Sequence, residues 1–192
     1  MKLLYVNCCI SVNEKSRTQE LADAFISAWK EANIGATTET VNLTKLDIKP
    51  LTAETIKVRE KFLVEKPGEQ FRLARQFAEA DKIVISAPFW DLSFPSKLRV
   101  YLEHVSANGI TFKYENNSIK GLCKADKILM LTSAGGHFDK AKGESYLNSI
   151  SKMYDIENIF CIAAPMQDAT DVDGRKLLDD AIEEAKKLAK EY

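Results

Sequence analysis

Two hydrophobic rhythms trade places along this chain. Short apolar runs, each about the length of a buried strand, alternate with longer stretches in which apolar residues recur every three or four positions. The first run covers residues 3–7. From Ser16 onward Leu21, Ala22, Phe25, Trp29 and Ala32 form a helical stripe, which Gly35 stops near Asn33. Residues 37–43, rich in Thr and Val, predict a second strand. The stretch 45–70 is less regular, bounded by Pro50 and by Pro67-Gly68, with one short charged helix around 53–63.

A helix over 71–80 puts Phe71, Ala74, Phe77 and Ala78 on one face, and 82–86 then reads as a strand buried on both faces. Leu98, Tyr101, Leu102 and Val105 mark another amphipathic helix. Residues 110–114 alternate like a strand, and Asn116-Asn117 predicts a hairpin turn onto Ile119. The last buried strands are 127–132 and 158–163, separated by a helix marked by Leu147, Ile150 and Tyr154. A final helix carries Leu178, Ala181, Ile182, Ala185, Leu188 and Ala189 on one side. Five buried strands separated by helices predict an α/β fold: an open, doubly wound, five-stranded parallel sheet with helices on both faces. Residues 1–192 read as one domain.

At 45% hydrophobic the chain is too apolar to be disordered, and its length suffices to bury roughly 70% of the surface of the unfolded form. A net charge of −1 gives no electrostatic case for nucleic acid or an anionic membrane as partner. The opening MKLLYVNCCI mimics a signal peptide, but Asn7 interrupts it and no small-x-small cleavage site follows. No apolar run approaches the roughly 20 residues of a membrane span. Cys8, Cys9, Cys123 and Cys161 sit in no metal or redox spacing and read as thiols of a reducing compartment. The expectation is a cytoplasmic chain that works on small molecules and holds no metal.

In an open α/β sheet, ligands bind beyond the carboxyl ends of the strands, where strand order reverses. That rule selects the loops 8–18, 88–95 and 133–143. The first carries neither a dinucleotide fingerprint nor a P-loop, and it contains no glycine. It ends Lys15-Ser16-Arg17-Thr18, two hydroxyls flanking an arginine at a helix start, which suits a phosphate. Ser16 and Gln19 equally form a capping box, and the two readings are compatible.

The second loop sets Phe89, Trp90 and Phe94 directly after a buried strand, either to pack on a flat ring system or to plug the core. Asp91 among them is a carboxylate in need of a donor. The third loop joins the pair Gly135-Gly136 to Ser133 and His137, as a close backbone approach to a ligand or an ordinary turn. His137 is either a proton donor or charge stabiliser, or a solvated loop histidine. There is no G-x-S-x-G elbow, and His104 lies too far from His137 in the chain to give a zinc-site spacing. His104 reads as structural, and Glu183-Glu184 as an exposed helical face.

Together these loops resemble the flavodoxin-like, FMN-dependent NADH:azoreductase and quinone reductase family. The segment from Ala87 through Pro95 and Leu98, on to Gly109-Ile110-Thr111-Phe112-Lys113-Tyr114, is similar to that family's Ala-Pro-aromatic loop, following helix and Gly-[IV]-Thr-Phe-[RK]-Tyr strand. Thr132 to Gly136 matches its Thr-Ser-x-Gly-Gly turn, and Asn7 to Leu21 resembles its phosphate loop, with Ser16-Arg17-Thr18 where the family has Ser-x-Ser.

The resemblance implies tightly bound FMN. Ser16, Arg17 and Thr18 would hold its phosphate, and Phe89, Trp90, Asp91 and Leu92 would line the isoalloxazine, largely through backbone. Ser133, Ala134, Gly135 and Gly136 would face its other edge, with His137 by the pyrimidine end as the one candidate catalytic side chain. Cys9 stands where a serine commonly assists the phosphate, and Asp91 where asparagine is usual. The Asp91 carboxylate would accept from the flavin N3–H but oppose negative charge gathering on the ring, implying a lowered reduction potential. The resemblance further implies NADH or NADPH as donor, quinones and aromatic azo compounds as acceptors, ping-pong turnover and a homodimer whose 45–70 stretch covers the partner's site. The alternatives are a flavodoxin-type electron carrier, which near-neutral charge disfavours, and a flavodoxin-like binding module without redox activity.

Overall fold

The computed structural model describes residues 1–10, 16–65 and 68–192, with the backbone alone over 60–65. Residues 11–15 of the first candidate loop, Lys15 included, and Pro67 lie outside the described residues.

Strand β1 (Lys2–Asn7) runs between β2 (Thr37–Asn42) and β3 (Lys82–Ser86), and β6 (Lys127–Ser133) and β7 (Asn158–Ala164) extend the sheet on the β3 side. The order is β2-β1-β3-β6-β7 and every pairing is parallel. The direction in which strands are added reverses between β1 and β3, so the switch point lies at the carboxyl ends of those two strands.

Alternation along each strand sends side chains to two separate cores. Leu3, Tyr5, Val84, Leu129 and Leu131 meet Phe25 and Trp29 of α1 (Arg17–Ala32) and Leu178, Ile182 and Ala185 of α6 (Gly174–Glu191). Leu4, Val6, Ile83, Ile85 and Met130 meet α3 (Arg72–Ala78), α4 (Ser96–Val105) and α5 (Lys140–Met153) through Phe77, Tyr101, Leu102 and Leu147. The doubly wound sheet expected from the pattern is thus present, with helices on both faces.

Local boundaries differ where short-range hydrogen bonds override periodicity. The helix expected over 71–80 is a 3₁₀ turn, Glu69–Phe71, followed by α3. Ala80 N–H then bonds to Phe77 O and Asp81 N–H to Lys2 O, which turns the chain into β3. The hairpin strand begins at Phe112, not 110, because Ile110 and Thr111 both donate their N–H to Ala107 O. Its turn, Asn116 (φ 51°) and Asn117 (φ 62°), joins β4 (Phe112–Glu115) to β5 (Ser118–Gly121) with both central residues left-handed, as a two-residue hairpin requires.

Helix α2 (Ala53–Glu65) is longer than its expected extent and differs in kind from the others. Residues 53–58 are exposed, Ile56 and Val58 included. A polar side chain ties it down: the Arg59 guanidinium donates to the carbonyls of Glu103, His104 and Ser106 at 2.7–3.0 Å. These are terminal carbonyls of α4 and the residue after it, left without helical donors, so the cation also answers the helix dipole there.

Candidate functional site

A polar network at the end of β1 fixes the start of the first loop. Asn7 is buried, accepts from Cys9 N–H at 2.8 Å and donates through Nδ2 to Gln19 Oε1 at 2.7 Å. Gln19 Nε2 donates in turn to the Tyr5 hydroxyl (3.2 Å) and to Asp23 (2.7 Å). The Tyr5 and Ser86 hydroxyls share a hydrogen bond at 2.9 Å, and Cys9 Sγ lies 3.2 Å from Ser86 Oγ. The first turn of α1 is thereby joined to the tips of β1 and β3. Burial pushes the Cys9 thiol up to about 11, so it is a neutral thiol held against Ser86.

Ser16 caps α1. Its φ of −79° and ψ of 123° are extended, and its hydroxyl accepts from Gln19 N–H at 3.2 Å. One half of the capping box is therefore formed, while the Gln19 carboxamide is engaged by Asn7, Tyr5 and Asp23. Two residues on, Thr18 is buried and shares a 2.6 Å hydrogen bond with Ser133 at the end of β6. Arg17, between them, reaches outward to Asp168, its Nη1 donating to Oδ1 at 2.6 Å. Capping uses the Ser16 oxygen as acceptor and the Gln19 N–H as donor. The first turn of a helix in general also presents backbone N–H groups to an anion, so the cap and an anion site are compatible.

The second and third loops extend the sheet past its strands. Phe89 N–H donates to Ser133 O at 2.8 Å, and Phe89 forms a parallel bridge with Ala134. The Phe89 ring is buried edge-on between Phe94 and Phe138, with centroids 5.5 and 5.0 Å away. Beyond it Trp90 and Ser93 exchange both backbone hydrogen bonds around Asp91 and Leu92, whose φ values are 50° and 58°. On the other side of 134–136, the loop after β7 supplies three donors: Met166 N–H to Gly136 O, Gln167 N–H to Ala134 O and Asp168 N–H to Gly135 O, at 2.8–3.0 Å. A Cβ on Gly135 would run into the Asp168 carboxylate, so glycine is what lets that carboxylate lie there.

These elements enclose a cleft of about 330 Å³ at the β1/β3 switch point. It brings together Ser16, Arg17, Thr18, Phe89, Trp90, Ser133, Ala134 and Gly135 from all three loops. Cys9, Asp91, Leu92, Gly136 and His137 do not line it. Asp91, Leu92, Gly136 and His137 are exposed, and Cys9 lies against Ser86 at the end of β3. His104 stands apart, with Nε2 2.9 Å from Lys49 O. Ile10, Pro88, Gln167 and Asp168 also line the cleft and were not singled out. The rule about strand carboxyl ends applies equally to the loop after β7 and would have found Gln167 and Asp168.

The sequence profile of a family described as having a flavodoxin-like fold matches residues 1–190. An FMN-dependent NADH:quinone oxidoreductase 2 of Clostridium acetobutylicum is 36% identical, the alignment covering 100% of this chain and 99% of that protein. An FMN-dependent NADH:quinone oxidoreductase of Coprothermobacter proteolyticus is 35% identical with the same coverage. Among solved structures, an azoreductase from Bacillus anthracis superposes with a TM-score of 0.87 at 24% identity, over 100% of this chain and 99% of its own. An FMN-dependent NADH-azoreductase from Bacillus anthracis, in complex with FMN, gives 0.84 at 22% identity over 99% and 98%.

Proposed function

The chain belongs to the family with the flavodoxin-like fold, and from that premise we propose that it is an FMN-dependent oxidoreductase passing electrons from NADH or NADPH to quinones and aromatic azo compounds. The observation that carries this reading is the cleft at the switch point, where the α1 N-terminus presents Ser16, Arg17 and Thr18 facing Phe89, Trp90 and the Ser133–Gly135 backbone. Full-length relatives named for FMN, NADH and quinone supply the chemistry that such a cleft serves.

The residues present fit the cofactor. Ser16 and Thr18 hydroxyls, the Arg17 guanidinium and backbone N–H groups of the first helical turn match the oxygens and charge of a phosphate monoester. The buried Phe89 ring and half-exposed Trp90 give an apolar wall for a planar ring, and Gly136, with open space where a side chain would stand, leaves backbone accessible nearby. FMN, when bound, supplies the two-electron chemistry, taking a hydride from the nicotinamide and passing electrons to the acceptor. The chain orients and shields that group; His137, the candidate proton donor, is exposed outside the cleft lining and would have to turn inward to act. No thiolate is called on: burial pushes Cys8 up to about 12 and Cys9 up to about 11. With one cleft serving both substrates, donor and acceptor take turns, which is ping-pong turnover.

Two further readings belong with this one. The chain works as a homodimer in which α2 meets the partner, since Ile56 and Val58 are exposed beside an apolar hollow edged by Leu51, Val58 and Arg59. It works in the cytoplasm, where four free thiols stay reduced; no helix among the described residues is long and apolar enough to cross a membrane.

The test is a visible spectrum of the purified chain before and after anaerobic NADH or NADPH, with released cofactor identified by chromatography. Flavin colour that bleaches with the nicotinamide and returns with a quinone is the expected result. FMN that neither nicotinamide reduces would point to an electron carrier, and no flavin after reconstitution with excess FMN would sink the reading.

A further inference from the structure

Of the side chains lining the cleft, Arg17 and Asp168 are the charged pair, and they are bound to each other. The Arg17 guanidinium crosses from the first turn of α1 to the loop after β7, where Nη1 meets Asp168 Oδ1 at 2.6 Å. The other carboxylate oxygen, Oδ2, lies against Gly135, in space that a side chain there would take. Asp168 N–H donates to Gly135 O at 2.9 Å, which fixes its backbone, while its exposed carboxylate is held by the Arg17 pair and the contact with Gly135.

We infer that Asp168 takes, on Arg17, the position of the cofactor's phosphate, so that loading the cleft exchanges a carboxylate of the chain for a phosphate of the ligand. The inference rests on the cofactor reading above and adds to it a residue that sets how strongly the phosphate counts. Three features make the exchange feasible. Arg17 is 48% and Asp168 71% exposed, and an ion pair that open to water is held only weakly. A phosphate monoester near neutral pH carries more charge than a carboxylate and offers three acceptor oxygens to the same guanidinium. Ser16 and Thr18, on either side of Arg17, also line the cleft, and their hydroxyls are bonded to Gln19 N–H and to Ser133 and not to Asp168, so they remain for a phosphate to recruit. The cost falls on the phosphate alone: a carboxylate that must leave Arg17, or stay and repel, taxes an anionic ligand and leaves a neutral one untouched.

The experiment compares the wild-type chain with Asp168→Asn and Asp168→Glu, titrating FMN, riboflavin and inorganic phosphate separately. Flavin fluorescence reads the first two and calorimetry the third. Asp168→Asn is expected to bind FMN about three- to fivefold more tightly, the upper part of the range open to a single exposed ion pair, with the gain shrinking as salt rises. It binds inorganic phosphate more tightly as well. Its riboflavin affinity stays within about twofold of wild type, because riboflavin lacks the group with which the carboxylate competes. Asp168→Glu, which keeps the charge, binds FMN as wild type does. Weaker or unchanged FMN binding in Asp168→Asn would overturn the inference, the first by making Asp168 a support for Arg17. Equal tightening of FMN and riboflavin would also overturn it, leaving Asp168 as mere bulk over Gly135. A wild-type chain that binds neither flavin would sink the cofactor reading, and the phosphate titration would then decide this inference by itself. Asp168 is exposed, so equal thermal unfolding midpoints are expected for the three proteins and check that each is folded.

Discussion

Leu92 holds a left-handed conformation at φ 58°, beside Asp91 at 50°, in a two-residue turn that ordinarily takes Asn-Gly. A branched side chain there crowds its own carbonyl, at a cost of roughly 1–2 kcal/mol. Its side chain is 64% exposed, so little packing offsets the strain within one chain. Leu92→Gly is therefore expected to raise stability by about 1 kcal/mol, read as a higher urea midpoint at unchanged slope. No gain would mean that the strain relieved at Leu92 is no larger than the freedom glycine adds to the unfolded chain. The strain was not legible in the sequence, where Asp91-Leu92 reads as part of an aromatic loop; only the Trp90–Ser93 pairing forces both residues to positive φ. Asp168 was hidden for a related reason. Residues 165–168 carry no glycine pair and no hydroxyl, and they reach the cleft through backbone hydrogen bonds to 134–136. Ser16, Arg17, Thr18 and Ser133 were legible because hydroxyls and a cation at a helix start, or after a buried strand, announce their chemistry by type.

At the scale of elements, the β4–β5 hairpin depends on one glycine. A Cβ added to Gly121 would lie inside van der Waals contact of the Tyr154 carbonyl and Asp155 nitrogen, which are backbone atoms at the end of α5. Backbone held by the α5 cap yields poorly: Tyr154 and Ile156 both donate their N–H to Ser151 O. Gly121→Ala is expected to destabilise the chain by about 1–3 kcal/mol, as overpacking does, measured by urea unfolding. A loss below about 0.5 kcal/mol, the scatter of a surface change, would show the hairpin free to lift away. Helices α1 and α6 and the five parallel strands were readable because a single period decides which residues are buried. The break between the 3₁₀ turn and α3 and the late start of β4 were not readable. Both turn on which carbonyl, Gly68 O or Ala107 O, receives a particular N–H, and hydrophobic spacing is silent about that.

For the whole molecule, the partner surface and the thiols make separate predictions. If α2 meets a second copy, Val58→Glu leaves the monomer fold intact, since Val58 is 52% exposed, and shifts the particle mass in light scattering from dimer to monomer. A wild-type protein that is monomeric at high concentration would remove that reading. The thiols tie stability to alkaline pH. Burial pushes Cys8, Cys123 and Cys161 each up to about 12 and Cys9 up to about 11, with the neighbouring Cys9 thiol a second contribution at Cys8. In the unfolded chain each would ionise near the ordinary thiol value, about 8.5. Between those values the unfolded state has released a proton that the folded state keeps, so binding of protons favours the fold. The stabilisation is full below pH about 8.5 and is lost as pH climbs towards each folded value, all four thiols pulling the same way. Cys8, with no exposed surface, alone contributes a fall of about 1.4 kcal/mol per pH unit in that window. Urea midpoints measured from pH 8 to 10.5 should therefore drop progressively, and Cys8→Ala, though less stable at pH 8, should drop less steeply. Parallel curves for the two proteins would mean that Cys8 ionises in the fold as readily as outside it, through local opening at the end of β1 where the cleft begins.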